Sequence, residues 1–138
     1  MDLFIRGAMR ALALIDANPG LPGPAAERIV VLKYLSHARQ LAFGFVESQV
    51  SELWSLTSDL ATATENFQER IVADAGRIVA GCVAGRYAES EEVVRAALPF
   101  AERVSDPGTI KTFLFAAGTL RYRMAMMADS CAMFDRAL

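Results

Sequence analysis

His37 is the only histidine in the 138 residues, so any Ser-His or Cys-His nucleophile pair would have to use it. It falls in the middle of the helical stretch YLSHARQLAF, which raises phosphotransfer chemistry on a displayed histidine. Gln40 and Leu41 stand where that chemistry expects Lys-Gly, so His37 reads as an ordinary, partly exposed helical residue. One histidine and two widely separated cysteines cannot complete a closed tetrahedral zinc set. A di-iron centre needs two Glu-x-x-His pairs, which one histidine forbids. No Gly-x-Ser-x-Gly elbow or glycine-rich phosphate loop occurs. Glu89, Glu91 and Glu92 could work as acid and base, but they crowd the start of a helix. There the macrodipole favours carboxylates, and the expectation is a solvated helix start. The chemistry-bearing residues therefore predict no enzyme, no metal and no cofactor.

Binding is better provided for than catalysis. Met124, Met126, Met127 and Met133 cluster near the C-terminal end, and methionine is flexible and polarizable enough to suit an adaptable surface. Met124 and Met127, three apart, share a face that packing would turn inward, while Met126 lies off it. Arg121, Met126, Met127 and Asp129 are the candidate binding residues. Trp54, the single tryptophan, reads first as core packing and second as an interface anchor. Cys82 and Cys131 read as free, buried thiols of a reducing compartment.

The bulk numbers limit the partners. The chain is 54% hydrophobic, above the usual share for a globular domain, so the excess must enter a deep core, a partner interface or an oligomer. A net charge of -2, with scattered basic residues, argues against a nucleic-acid partner. The longest uncharged stretch near the C-terminus, Thr112 to Leu120, is about half of a membrane span. Asp2, Arg6 and Arg10 interrupt the first apolar residues, so no secretory pattern is read there. These features set the expectation of one cytoplasmic domain over residues 1–138, with a protein partner or self-association and no membrane span.

The elements that must position these residues are all helical. Asp2 can cap a first helix to about Ala17, where Phe4, Ala8, Ala11 and Ile15 repeat at helical spacing. Asn18-Pro19-Gly20 stops it, and Pro22, Gly23 and Pro24 predict an extended link. From Ala25 to Leu98 there is no proline, and the run of Ser, Thr and Asp over Ser55 to Thr64 is the expected break. Gly44, Gly76 and Gly81 are expected inside helices, where each costs about 1 kcal/mol relative to Ala. Close helix–helix approach is the expected compensation. A helix over Ala88 to Val104, kinked at Pro99, should precede a turn at Ser105 to Gly108 and a last helix capped by Thr109. The fold class is all-α, an antiparallel helical bundle or a short helical-hairpin repeat array of five or six helices.

Residues 85–138 resemble tetratricopeptide repeats. In GRYAESEEVVRAAL the Gly-x-Tyr opening and the Tyr87, Ser90, Val94, Ala97 spacing match the second helix of such a repeat. In FAAGTLRYRMAMMADSCAMFDRAL, Ala117-Gly118 stands at the Leu-Gly site of a first helix, Ser130 at the small-residue site, and Phe134 and Ala137 at the end. Ser90 and Ser130 lie 40 apart, against the commonest repeat of about 34. Ala125-Met126 replaces the usual glycine turn, so Thr109 to Leu138 is either a hairpin or one continuous helix. A hairpin should tolerate proline at Ala125 and a continuous helix should not.

The resemblance and the apolar excess imply a non-catalytic protein–protein interaction module, an adaptor or assembly factor working through a helix-lined groove or an exposed apolar face. The alternative is a ligand-sensing or dimerisation bundle holding a small apolar molecule among Phe43, Phe45, Phe113 and Phe115.

Overall fold

The computed structural model describes residues 2–18, 24–45 and 48–138, and every regular element among them is an α-helix. Seven are described: α1 (Asp2–Ala17), α2 (Pro24–Phe43), α3 (Ser48–Ala63), α4 (Phe67–Val83), α5 (Tyr87–Ala101), α6 (Pro107–Arg123) and α7 (Met127–Ala137). The cap expected of the Asp2 side chain and the extended link expected at Pro22 and Gly23 lie outside the described part of the structure, whereas Pro24, expected in that link, opens α2 instead.

Seven helices replace the expected five or six because two breaks fall elsewhere than expected. Gly44 does not sit inside a helix. It takes φ 86, a left-handed conformation natural to glycine, and ends α2 with its N–H on the Gln40 carbonyl at 2.9 Å. The Ser/Thr-rich run over Ser55 to Thr64 does not break the chain but fills the second half of α3. Two of its hydroxyls are satisfied on their own helix, Thr57 Oγ1 donating to the Leu53 carbonyl at 2.7 Å and Thr62 Oγ1 to that of Ser58 at 2.8 Å, while Ser58 Oγ reaches across to Asp74 of α4 at 2.8 Å. A hydroxyl satisfied this way does not compete for a turn.

Three helix ends reverse by one device. After α3, α4 and α6 a single residue turns left-handed, respectively Glu65 at φ 55, Gly85 at φ 75 and Ala125 at φ 60. Each reversal closes with the same two backbone bonds. After α6, the N–H of Met126 reaches back to the Arg121 carbonyl at 2.8 Å and that of Ala125 to Tyr122 at 3.0 Å. The equivalents are Arg86 to Gly81 and Gly85 to Cys82, then Asn66 to Ala61 and Glu65 to Thr62. This is the Schellman pattern, which satisfies the orphan carbonyls of a helix C-terminus. Thr109 to Leu138 is therefore a hairpin. Proline at Ala125 is not mild there, because φ 60 is closed to its ring and the Ala125 N–H is in use.

Capping differs from expectation at α6 as well. Asp106, not Thr109, is the N-cap: its carboxylate accepts the Thr109 N–H at 2.7 Å, and Pro107 opens the helix. Hydrogen bonds from Thr109 hold the Asp106 carboxyl below its ordinary range. α5 stops at Ala101 rather than Val104, two residues beyond Pro99, which supplies no N–H to the preceding turn.

α4 is the hub, packing on α3, α5 and α6, while α1 packs on α2, α2 on α3, and α6 on both α5 and α7. The main core runs through α4 to α7 around Ile71, Ile78, Val94, Phe113, Leu114 and Leu120. Glycine in these helices is placed for contact, as expected. A Cβ on Gly118 would stand 2.8 Å from the Phe134 ring, and the Ser130 hydroxyl donates to the Gly118 carbonyl at 2.9 Å across the same contact. Both cysteines are free. Cys82 is buried, which pushes its thiol up against a smaller opposing effect of Arg123, whereas Cys131 is exposed rather than buried as expected.

Two outcomes follow for urea unfolding. Ala125→Gly removes a left-handed Cβ and should raise stability by about 0.5–1 kcal/mol, net of the added freedom of the unfolded chain. Gly118→Leu overpacks the α6–α7 contact and should lower it by about 1–3 kcal/mol. An Ala125→Gly variant no more stable than the parent would deny the left-handed turn.

Candidate functional site

A groove of about 790 Å³ opens between α2, α3, α4, α6 and α7. Two aromatic walls define it, and each wall rests on a glycine. On one side the Trp54 indole of α3 lies against α4 at Gly76, where a Cβ would stand 2.5 Å from the ring. The His37 ring meets this indole edge-on with centroids 4.8 Å apart. On the other side Phe134 of α7 occupies the space beside Gly118 and packs on Phe115 of α6 at 5.5 Å. Val72, Ala75 and Val79 of α4 line the groove between the walls.

Polar groups are few and mostly occupied. His37 Nδ1 donates to the Lys33 carbonyl at 2.9 Å, which leaves Nε2 as the acceptor of the neutral ring. Thr112 donates its hydroxyl to the Gly108 carbonyl at 2.9 Å. Among the described lining residues, Lys111 alone has a fully charged side chain, and its ammonium reaches the backbone oxygen of Leu138 at 3.4 Å. Among the described residues, Trp54 Nε1 is the one buried side-chain nitrogen or oxygen without a hydrogen-bond partner. The arrangement can hold an apolar body and place a few polar contacts around it. Among the described residues no group of three His, Cys, Asp or Glu could hold a metal ion.

The four sequence-derived candidates do not line this groove. Met126, Met127 and Asp129 come together at the α6–α7 turn and the start of α7. The inward and outward methionines are partly exchanged: Met127 is 55% exposed, Met126 is half-buried and Met133 is in the core. Arg121 is not a surface residue. Its side chain is 12% exposed and donates to both carboxylate oxygens of Glu91, at 3.1 and 3.3 Å. Glu91 in turn is 5% exposed, with Arg95 at 3.4 Å on its open side, so it does not belong to a solvated helix start; Glu89 and Glu92 do. Burying a carboxylate is tolerated here because two guanidinium groups meet it.

Of the phenylalanines named for a small ligand, Phe45 and Phe115 line the groove, Phe113 is in the core and Phe43 is exposed elsewhere. The groove was visible in the sequence only indirectly. TFLFAAG of α6 is apolar all round, and such a helix must be covered on every side or leave an apolar face unpartnered. Phe115, 63% exposed, is that face.

A second recess of about 400 Å³ mixes Arg77 and Arg86 with Glu89 and Glu92, so its charges are internally compensated. No helix among the described residues is long and apolar enough to cross a membrane. Compared with protein-family models, curated proteins and solved structures, the chain gives no match in any of the three.

Arg121→Ala should destabilise the protein by on the order of 3 kcal/mol, since it leaves Glu91 buried with only a peripheral partner. Asp129→Ala, at an exposed position, should change stability by less than about 0.5 kcal/mol. Equal unfolding midpoints for the two variants would show the Glu91 pair to be energetically idle.

Proposed function

We propose that this protein is a non-catalytic protein–protein interaction module, an adaptor or assembly factor, whose groove receives the apolar side chains of a partner segment. The observation that carries this reading is the open recess of about 790 Å³, apolar along its floor and bounded by Trp54 and Phe134. An exposed apolar face of this kind on a monomer marks a place where another molecule sits.

The same proposal reads the helices as a short hairpin array resembling tetratricopeptide repeats, in preference to a plain antiparallel bundle. In its support, α4 and α6 begin and end 40 residues apart, and so do the left-handed residues Gly85 and Ala125 that follow them. The two hairpins α4–α5 and α6–α7 thus share one backbone plan with little shared sequence, and α4 and α6 lie side by side on the groove. The two free thiols support a reducing, cytoplasmic setting.

A second reading, a small apolar ligand, is favoured by the groove volume, which lies within the range of about 300–1,000 Å³ common to such sites, and by Phe45 and Phe115 at its edge. Self-association has its own candidate surface in the α1–α2 cleft, where Leu14 and Val30 are exposed.

Trp54 makes the groove its own reporter, because it is the only tryptophan in the chain. Purified protein should be monomeric or weakly associated by sedimentation and free of bound small molecules by native mass spectrometry. Captured partners, once identified and purified, should shift Trp54 emission and lose affinity for a Phe115→Asp variant that retains its helical spectrum. A stoichiometric co-purifying small molecule would replace the first reading with the second.

A further inference from the structure

We propose that the Trp54 end of the groove is a hydrogen-bonding subsite for a neutral carboxamide carried on an apolar body. The inference rests on the groove reading and names the polar group of the occupant, whether the Asn or Gln side chain of a partner or a small amide.

The subsite is built on an unmet donor. Trp54 is 2% exposed, and its Nε1 has no hydrogen-bond partner in the fold. Buried polar groups in folded proteins are nearly all paired, and one left over in the wall of a recess is placed to meet an acceptor on an occupant. Two residues against the indole line the groove. Nε1 lies 2.9 Å from where a Cβ on Gly76 would stand, and His37 meets the ring edge-on with centroids 4.8 Å apart. Gly76 is fixed within α4, whereas His37 is an exposed side chain. The enclosed N–H therefore opens to an occupant by a turn of the His37 ring, a motion fast beside binding.

Gln40 selects the class of acceptor. It stands three residues after His37 on the same face of α2, is half-buried and lines the groove. Its amide both gives and takes a hydrogen bond. A carboxamide answers both groups at once, its carbonyl accepting from Trp54 Nε1 and its N–H donating to the Gln40 side-chain oxygen. A carboxylate offers that oxygen no proton and brings a charge into an apolar recess. Lys33, one turn before His37, is held by both oxygens of Glu69 at 2.8 Å, and Lys111 stands on α6 at the other wall. A ketone or ester reaches Trp54 but leaves Gln40 unmet. Val72, Val79, Phe115 and Phe134 supply the apolar surface for the rest of the occupant. A site whose buried polar groups need partners rejects an analogue that lacks them, so the pair gives selectivity as well as affinity.

The test uses the full chain labelled with nitrogen-15, in which the single tryptophan gives one indole N–H resonance. Three probes share a cyclohexane ring: cyclohexanecarboxamide, its N,N-dimethyl amide and cyclohexanecarboxylate. The primary amide should move the indole resonance downfield and bind about fivefold more tightly than either of the others, the scale of one net hydrogen bond. Gln40→Leu should bring the primary amide down to the level of the dimethyl amide. Trp54→Phe should weaken both amides, with binding and folding followed in the backbone amide spectrum. A leucine-rich peptide with one central glutamine, set against its glutamate counterpart, separates the sources. Tighter binding of the glutamine peptide than of the small amide assigns the subsite to a protein partner, and the reverse order assigns it to a small molecule. An indole resonance that does not move, or equal affinity for the primary amide and either control, overturns the subsite. The Phe115→Asp comparison still decides the partner reading by itself.

Discussion

The dependence of short helices on their neighbours governs this structure. Its helices run from 11 to 20 residues, lengths at which an isolated helix is marginal in water. Each is held by packing, so the angle and register at which the chain leaves one helix and enters the next decide which faces meet. Glu65, Gly85 and Ala125 set that geometry by turning left-handed at three reversals with identical backbone bonding. Only one of the three is glycine. The other two tolerate a strained conformation because the Schellman bonds and the packed helices on either side leave no better alternative.

Buried ionic groups then fix the register that the turns begin. Asp74, almost fully enclosed on α4, accepts a hydrogen bond from Ser58 of α3 at 2.8 Å and is met by Arg77 at 3.1 Å and Arg70 at 3.5 Å. Glu91 of α5 does the same work toward α6 through Arg121. Between α2 and α4, Lys33 and Glu69 pair at 2.8 Å. Such pairs are weak sources of net stability against an apolar replacement, but the Glu91–Arg121 and Lys33–Glu69 pairs, each made across two helices, lose a charge partner if one helix slides, whereas Asp74 would keep the arginines of its own helix and lose only Ser58. These contacts tie α3 to α4, α5 to α6 and α2 to α4.

The groove is a consequence of that alignment. Gly76 and Gly118, on the two neighbouring helices α4 and α6, give up their side-chain space to Trp54 and Phe134. The rings brought in this way become walls, and the residues between them, too small to fill the gap, become the floor. The shape of the groove comes from the spacing of packed helices.

What the sequence determined by itself is whatever depends on local period and backbone chemistry. Helical spacing gives all-α and a stop near Ala17, and the contact glycines at positions 76 and 81 are legible because an unprotected helical glycine needs a reason to be there. The break in the Ser55 to Thr64 run was misplaced because a Ser or Thr hydroxyl serves a turn and the interior of a helix by the same kind of hydrogen bond, and only tertiary packing chooses between them. Alanine carries no turn signal, so the sequence admits both a hairpin and a continuous helix at Ala125, and its left-handed φ is imposed by the pairing of α6 with α7. Arg121 and Glu91, 30 positions apart, look like two surface charges until the α5–α6 interface encloses them together. The groove belongs wholly to the tertiary structure. His37, Trp54, Phe115 and Phe134 come from four helices, and no periodicity within one helix records where another will leave a gap.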